Sequence, residues 1–239
     1  LSLGVIALPT LVVLVVLMVG LSVPLGRALG LSPTASVLLG VGQGICGTAA
    51  IAAAAPVLEA EEADTGVAVA VVSALGTVGI LVLPPLTVAL GLSDAGSALV
   101  LGGSLQAVGH AVAAGFAVSE PVGQLTTAVK LGRVALLPVV LIGLTAWRSE
   151  GGKGRAGLPS SLIGFLVAAG IAATGMVPAE VLASFSMAAD ALLAVAMAAI
   201  GTRIRLGVLR RQGTGSLIAG TALFGVQVLV AALVAAWVV

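Results

Sequence analysis

The sequence has 239 residues, of which 60% are hydrophobic and 8% charged, and its formal net charge at pH 7 is +1. Soluble domains usually carry about 25% charged residues, so this composition excludes a water-facing globule and indicates an integral membrane protein. The low charge and the 3% aromatic content also exclude a nucleic-acid interface of the usual basic or base-stacking kind.

Apolar windows between Pro, Gly and charged breaks predict eight membrane segments in a single transmembrane domain that covers residues 1–239. The segments lie near residues 3–25, 34–58, 65–90, 96–118, 121–147, 159–177, 180–202 and 214–238. Because the apolar runs are unbroken rather than alternating, they predict an all-α bundle and not a barrel.

If every segment crosses once, most basic residues fall on one side, which the positive-inside rule makes cytoplasmic. These residues are Arg27, Arg148, Lys153, Arg155, Arg203, Arg205, Arg210 and Arg211. The acidic residues of the other side are Glu59, Glu61, Glu62, Asp64, Glu120 and Glu180. Both ends of the chain are then predicted to lie outside.

The second segment contains a polar, glycine-rich interruption. Its members are Gly40, Gly42, Gln43, Gly44, Cys46 and Gly47. Glycine costs about 1 kcal/mol relative to alanine in a helix interior, so the cluster predicts two half-helices joined at Gln43–Gly47. The second half-helix, beginning near Thr48, would direct free N–H groups at the break, a geometry that suits an anion. The alternative is that Gly40 and Gly44 only allow close helix packing.

A weaker copy of this pattern lies in the fourth segment, where Gly102 and Gly103 precede Ser104. Ser104 is predicted as the N-cap of another half-helix, and Gln106 and His110 stand four residues apart on one helix face. His110 is interpreted either as a hydrogen-bonded interior residue or as a ligand or proton carrier. The pattern therefore predicts a second discontinuous helix.

Cationic side chains lie within the fifth predicted segment. Thr126, Lys130 and Arg133 follow i, i+4, i+7 spacing, so they share one stripe that could complement an oxyanion. Ionised groups at membrane depth usually face the protein interior. The alternatives are that Lys130 and Arg133 pair with Asp190 or extend to the interface. Asp190 itself is predicted as either a counter-ion or an ion-coupling site.

The sequence offers no set of catalytic or metal-binding residues. One cysteine and one histidine exclude a disulfide or zinc cluster, and HExxH, GxSxG and GxxxxGK[ST] are absent. The acidic run EAEEAD is predicted as a solvated loop, since its spacing matches no calcium site. No catalytic residue, cofactor or metal is therefore predicted, and an intramembrane enzyme is the less favoured alternative.

Four stretches, GQGICGTAAIAAAAPVLEAEEADTGVAVAVVSALGT, VAAGFAV, AVKLGRVALLPVVL and LLAVAMAAIGT, resemble in order the segments of a known family. That family is the bacterial YeiH-type sulfate exporters, UPF0324-like inner-membrane transporters. The resemblance implies inverted repeats, related to bile-acid and sodium/proton transporter architectures, and export of sulfate or a related sulfonate. Family members are longer at the N-terminus, so upstream helices are expected here.

The chain departs from the family in one segment. Where the family typically reads SIHDTAQVVAAG, residues 104–115 read SLQAVGHAVAAG. Gln106 replaces a histidine, Ala107 an acidic residue, and His110 a glutamine. The substrate or the coupling ion is therefore expected to differ.

The residues and the resemblance together predict a secondary transporter of a small anion in a lipid bilayer, with a homodimer left open. The predicted substrate-binding residues are Gln43, Gly44, Cys46, Gly47, Thr48, Ser104, Gln106, His110, Lys130 and Arg133. The alternatives are an anion channel, a transport-inactive subunit, or a sodium-coupled transporter of another small solute.

Overall fold

The computed structural model describes residues 2–150 and 206–237, together with scattered residues between 163 and 195. The two continuous ranges form the helices α1 (Ser2–Ala28), α2 (Pro33–Gly44), α3 (Thr48–Leu58), α4 (Glu62–Ala89), α5 (Asp94–Ser104), α6 (Val108–Val118), α7 (Glu120–Val134), α8 (Leu137–Glu150) and α9 (Leu206–Trp237). The all-α prediction is confirmed for these ranges. Asp190 and most of the predicted segments 159–177 and 180–202 lie outside the described residues.

Four stretches of the described chain are long and apolar enough to cross a membrane. They are Ile6–Ala28, Glu62–Ala89, Glu120–Arg148 and Gly213–Trp237. The third comprises α7 and α8, which are separated by a turn at residues 135–136. Pro138 explains where α8 begins, because proline lacks an N–H and is favoured in the first turn of a helix. The prediction of membrane helices is confirmed.

The predicted segment 34–58 enters the bundle and returns to the end from which it came. The Ser32 hydroxyl, just before α2, donates to the Asp64 carboxylate in the first turn of α4 at 2.5 Å. Arg148 Nη2, at the end of α8, donates to Glu59 Oε2, just after α3, also at 2.5 Å. Helices α2 and α3 therefore form a hairpin whose two outer ends lie together. We call this end of the bundle the arginine end.

The predicted segment 96–118 forms a second hairpin from the opposite end. A Cβ added to Gly96 would lie 3.4 Å from the Ala235 Cβ, so α5 begins beside the end of α9. Helix α6 ends at Val118, directly before Glu120 begins the crossing stretch that leads to Arg148. The two hairpin tips meet inside the bundle, where Gln106 Nε2 donates to Gln43 Oε1 at 2.6 Å.

The hairpins correct the predicted sidedness. The placement of Glu59 and Asp64 opposite the arginines is wrong, because the turn after Gly44 reverses the chain instead of letting it cross. The second hairpin reverses the chain again, so Arg27 and Arg148 lie at the same end, as predicted. Whether the hairpins belong to inverted repeats stays a prediction.

The two interpretations of the first glycine cluster both hold, for different residues. Gly40 and Gly44 pack against α1: an added Cβ would lie 2.4 Å from the Ser22 hydroxyl oxygen and 3.3 Å from the Met18 Cβ, respectively. Gly47 makes the turn, with a φ of 72° that side chains rarely allow. The predicted break and the predicted start of a half-helix at Thr48 are confirmed.

The second break lies further along the chain than predicted. The N-cap prediction for Ser104 is wrong, because Ser104 is the last residue of α5 and α6 begins at Val108. Gly102 packs instead of breaking the helix: an added Cβ would lie 2.8 Å from the Thr126 carbonyl oxygen. Close packing against α7 thus explains the glycine.

Candidate functional site

Helices α2 and α5 end in the middle of the bundle, where their last carbonyl groups have no helical partners. Arg133 binds these carbonyls from α7. Its Nε donates to Ile45 O at 2.7 Å and its Nη2 to Gln43 O at 2.9 Å, while Nη1 donates to Gly103 O. One guanidinium therefore connects the carbonyl ends of both broken helices.

Lys130 and Gln227 also donate to the carbonyl groups at the ends of α2 and α5. Lys130 Nζ donates to Ile45 O at 2.9 Å and to Leu105 O at 2.6 Å. Gln227 Nε2, from α9, donates to Gln43 O at 3.0 Å and to Gly103 O at 2.8 Å. Like Arg133, both side chains are fully buried. The negative ends of the α2 and α5 dipoles favour the two cations, Arg133 and Lys130.

Helices α3 and α6 begin where α2 and α5 end, and neither has a side-chain cap. Their N-cap residues, Gly47 and Ala107, have no side chain that can accept a hydrogen bond. The first-turn N–H groups of a helix have no partner within it. By contrast, α2, α5 and α7 begin at serines whose hydroxyls accept from backbone N–H groups at 3.0, 3.1 and 3.3 Å.

A half-open cavity of about 220 Å³ lies between these two uncapped N-termini. It is lined by Gly47, Thr48, Val72, Ser73, Thr77, Gln106, Ala107 and His110. A water molecule occupies about 30 Å³ of liquid volume, so the cavity has room for a small anion with part of its hydration shell. The uncapped N-termini and the hydroxyls of α3 and α4 supply hydrogen-bond donors around it.

Two buried polar atoms beside the cavity lack hydrogen-bond partners: Gln106 Oε1 and His110 Nδ1. Both lie close to Gly76 of α4, where an added Cβ would be 3.1 Å from Gln106 Oε1 and 2.7 Å from His110 Nδ1. The missing side chain at Gly76 therefore leaves room for both polar groups. Since buried polar atoms are normally paired, two unpaired atoms on residues that line a cavity point to a ligand.

The structure divides the predicted site residues into two groups. Gly47, Thr48, Gln106 and His110 line the cavity. The framework behind the cavity contains Gln43, Gly44, Cys46, Ser104, Lys130 and Arg133. Ser73 and Thr77 also line the cavity and are not among the predicted residues, although their i, i+4 spacing in an otherwise apolar helix is a usable signal.

The chain is similar to bacterial membrane proteins along most of its length. The family model described as Conserved hypothetical protein 698 matches residues 1–220. A UPF0324 membrane protein of Bacillus cereus is 34% identical over 191 residues, which cover 77% of this chain and 56% of that protein. A UPF0324 membrane protein of Agrobacterium fabrum is 34% identical over 200 residues, or 82% of this chain and 58% of the relative.

The UPF0324 membrane protein TauZ of Paracoccus pantotrophus is 34% identical over 226 residues, which cover 90% of this chain and 67% of TauZ. The chain thus spans little more than half the length of the first two relatives. No solved structure matches it. Because the family model covers most of the sequence and confirms the resemblance, the chain belongs to the UPF0324 family of membrane proteins.

Proposed function

We propose that this protein is a secondary transporter that binds a small oxyanion between the N-termini of α3 and α6. One observation carries the proposal: two half-helices begin inside the bundle without side-chain caps and face the same cavity. Each N-terminus carries a partial charge of about +0.5, and N–H groups at such ends bind anions. Discontinuous helices that meet at the membrane midplane are a recurring substrate site in transporters.

The surroundings of the cavity support an anion rather than a cation. The carbonyl ends of α2 and α5 are occupied by Arg133, Lys130 and Gln227, so those carbonyls are engaged away from the cavity. The hydroxyls of Thr48 and Ser73 add donors at the cavity wall, whereas the Thr77 hydroxyl donates to the Ser73 carbonyl oxygen at 3.0 Å. Lys130 and Arg133 act through the framework that they hold and through their positive potential, without a direct substrate contact.

The finer assignment follows the resemblance. Sulfate or a related sulfonate is the first substrate class to test, with export across a bacterial inner membrane as the direction. We place the arginine end in the cytoplasm, because Arg27 and Arg148 lie there and none of the described residues at the opposite end is a lysine or an arginine. Transport then proceeds by movement of the hairpins against the crossing helices around the site.

A matched pair of glycine substitutions tests the proposal by uptake of labelled sulfate into proteoliposomes. Gly47 and Gly30 have φ values of 72° and 74°, so alanine causes similar backbone strain at both. At Gly47 the new Cβ would also lie 3.2 Å from the Gln106 Cβ, whereas nothing lies within 4 Å at Gly30. We expect Gly47→Ala to reduce flux about 10-fold or more, equivalent to about 1.4 kcal/mol, and Gly30→Ala to leave it nearly unchanged.

Equal flux in the two variants would contradict the proposed site.

The same vesicles distinguish a carrier from a channel. Stimulation of uptake by unlabelled anion on the other side indicates a carrier, whereas a steady conductance without such stimulation would favour the channel alternative.

A further inference from the structure

Gln106 lines the cavity and carries an unpaired carbonyl oxygen, which a site for a fully deprotonated anion does not need. We infer that Gln106 makes the site selective for oxyanions that still carry a proton, an inference that rests on the proposed small-oxyanion site and ranks phosphate above the sulfate that the resemblance suggests. Gln106 is 1% exposed and lines the cavity, and its Oε1 has no hydrogen-bond partner.

The orientation of the Gln106 amide is fixed by a chain of hydrogen bonds. Gln43 Nε2 donates to the Gly220 carbonyl at 3.2 Å, and a carbonyl can only accept. Gln43 Oε1 must therefore accept, and it receives Gln106 Nε2 at 2.6 Å. A flipped Gln106 amide would place two acceptor oxygens at that distance. The Gln106 Oε1 is consequently the group that remains for the ligand.

This oxygen discriminates between anions of the same shape. Sulfate and selenate carry no proton at neutral pH, so all their oxygens are hydrogen-bond acceptors. Gln106 Oε1, which is also an acceptor, would repel them. Phosphate and arsenate keep at least one O–H, which can donate to this oxygen while their other oxygens accept from the helix N-termini. A buried site built to pair with a hydrogen-bonding group rejects an analogue that lacks it.

His110 provides the competing explanation for the unpaired oxygen. Its Nδ1 also lacks a partner and lies beside the same glycine, Gly76. A neutral imidazole has one donor nitrogen. If ligand binding turned that donor toward Gln106 Oε1, the anion would need no proton, and the site would bind sulfate as well as phosphate.

Calorimetric titration of the purified protein in nanodiscs at pH 7 with phosphate, arsenate, sulfate and selenate tests the inference. We expect the protonated pair to bind about 10- to 100-fold more tightly than the deprotonated pair. In Gln106→Met, which has no amide oxygen, the ratio of the phosphate and sulfate dissociation constants should approach one. Gln124→Met, which alters an exposed glutamine outside the cavity lining, should keep the wild-type ratio.

The ratio is taken within each variant, so a general loss of affinity cancels. Equal binding of all four anions to the wild type, or a preference that persists in Gln106→Met, would overturn the role of Gln106 and leave the proposed function intact. Binding of none of the four anions would instead overturn the proposed function. The comparison of the four anions in the wild type needs no variant to fold.

Discussion

The two sides of the helix breaks are built differently. On one side, the carbonyl ends of α2 and α5 are bound by Arg133, Lys130 and Gln227, all fully buried. On the other side, α3 and α6 begin without side-chain caps and face a cavity. Each break frees both carbonyl and N–H groups at membrane depth, where each unpaired group is costly. The protein itself binds one set, and under the proposed function a ligand binds the other.

This difference assigns the buried cations to the framework. A charged group inside a membrane protein is by default a candidate for substrate contact. Here Arg133 and Lys130 donate to the backbone of both hairpins and hold their tips together. The comparison therefore separates residues whose loss unfolds the centre of the bundle from residues whose loss empties the site.

The largest effect is expected on the carbonyl side. Arg133→Met removes the donors to three carbonyls on the two hairpins, and we expect a loss of about 3 to 5 kcal/mol in unfolding free energy. Denaturant unfolding in detergent micelles measures the loss. Arg27→Met is the matched control, because Arg27 is exposed at the arginine end, and it should cause no measurable change. Equal stability of the two variants would contradict the framework role.

A substitution on the amide side should abolish anion binding without unfolding the protein. Ala107 is the N-cap of α6 with φ −77° and ψ 146°, a conformation that aspartate adopts readily. We expect Ala107→Asp to act as a built-in anion: it stabilises the ligand-free protein by about 1 kcal/mol. The variant should also lose the stabilisation of about 2.7 kcal/mol that anion at 100 times its dissociation constant gives the wild type.

Thermal unfolding with and without the anion gives both quantities. Ala107→Ser is the control with an uncharged cap. It should retain part of the anion response, because its hydroxyl competes for the N–H groups without adding charge. A full anion response in Ala107→Asp would mean that the N-terminus of α6 takes no part in binding.

Removal of the Ser93 cap tests whether a capped helix start, unlike the uncapped starts of α3 and α6, contributes to stability alone. The Ser93 hydroxyl accepts from Gly96 N at 3.1 Å at the start of α5, far along the hairpin from the cavity. We expect Ser93→Ala to cost about 1 kcal/mol in unfolding free energy and to leave the anion dissociation constant unchanged. A weakened anion affinity in this variant would show that the two kinds of helix start are not independent.

The smallest effect is expected at the arginine end. The salt bridge between Arg148 and Glu59 is partly exposed, with 71% of the Glu59 side chain accessible. We expect Glu59→Ala to change the unfolding free energy by about 1 kcal/mol or less, because water and salt screen such pairs. A larger loss, measured by the same denaturant titration, would indicate that this contact holds the hairpin in place.

The first break was predictable from sequence and the reversal of the chain was not. The cluster around Gly47 makes unwinding inexpensive whether the chain then continues across the membrane or turns back. The decision depends on contacts such as Ser32 with Asp64 and Arg148 with Glu59. In the second case the bonded residues are 89 positions apart in the sequence, so no local pattern contains the information.

The cations illustrate the same limit within the site. Their i, i+4, i+7 spacing with Thr126 predicts a shared buried stripe, and Thr126, Lys130 and Arg133 are all fully buried. Their partners are backbone carbonyls up to 90 residues away, which carry no side-chain signature. The residue types alone could therefore not show whether these cations bind the backbone of the hairpins or the substrate.

The backbone amide signals of the half-helices test the central claim most directly. In selectively ¹⁵N-labelled protein, added oxyanion should shift the Thr48 and Val108 amide resonances downfield, because these first-turn N–H groups gain an anionic acceptor. The Ser93-capped amide of Gly96 should not move. Saturable anion binding with unchanged Thr48 and Val108 amides, and with shifts at the Lys130 and Arg133 side chains instead, would contradict the account.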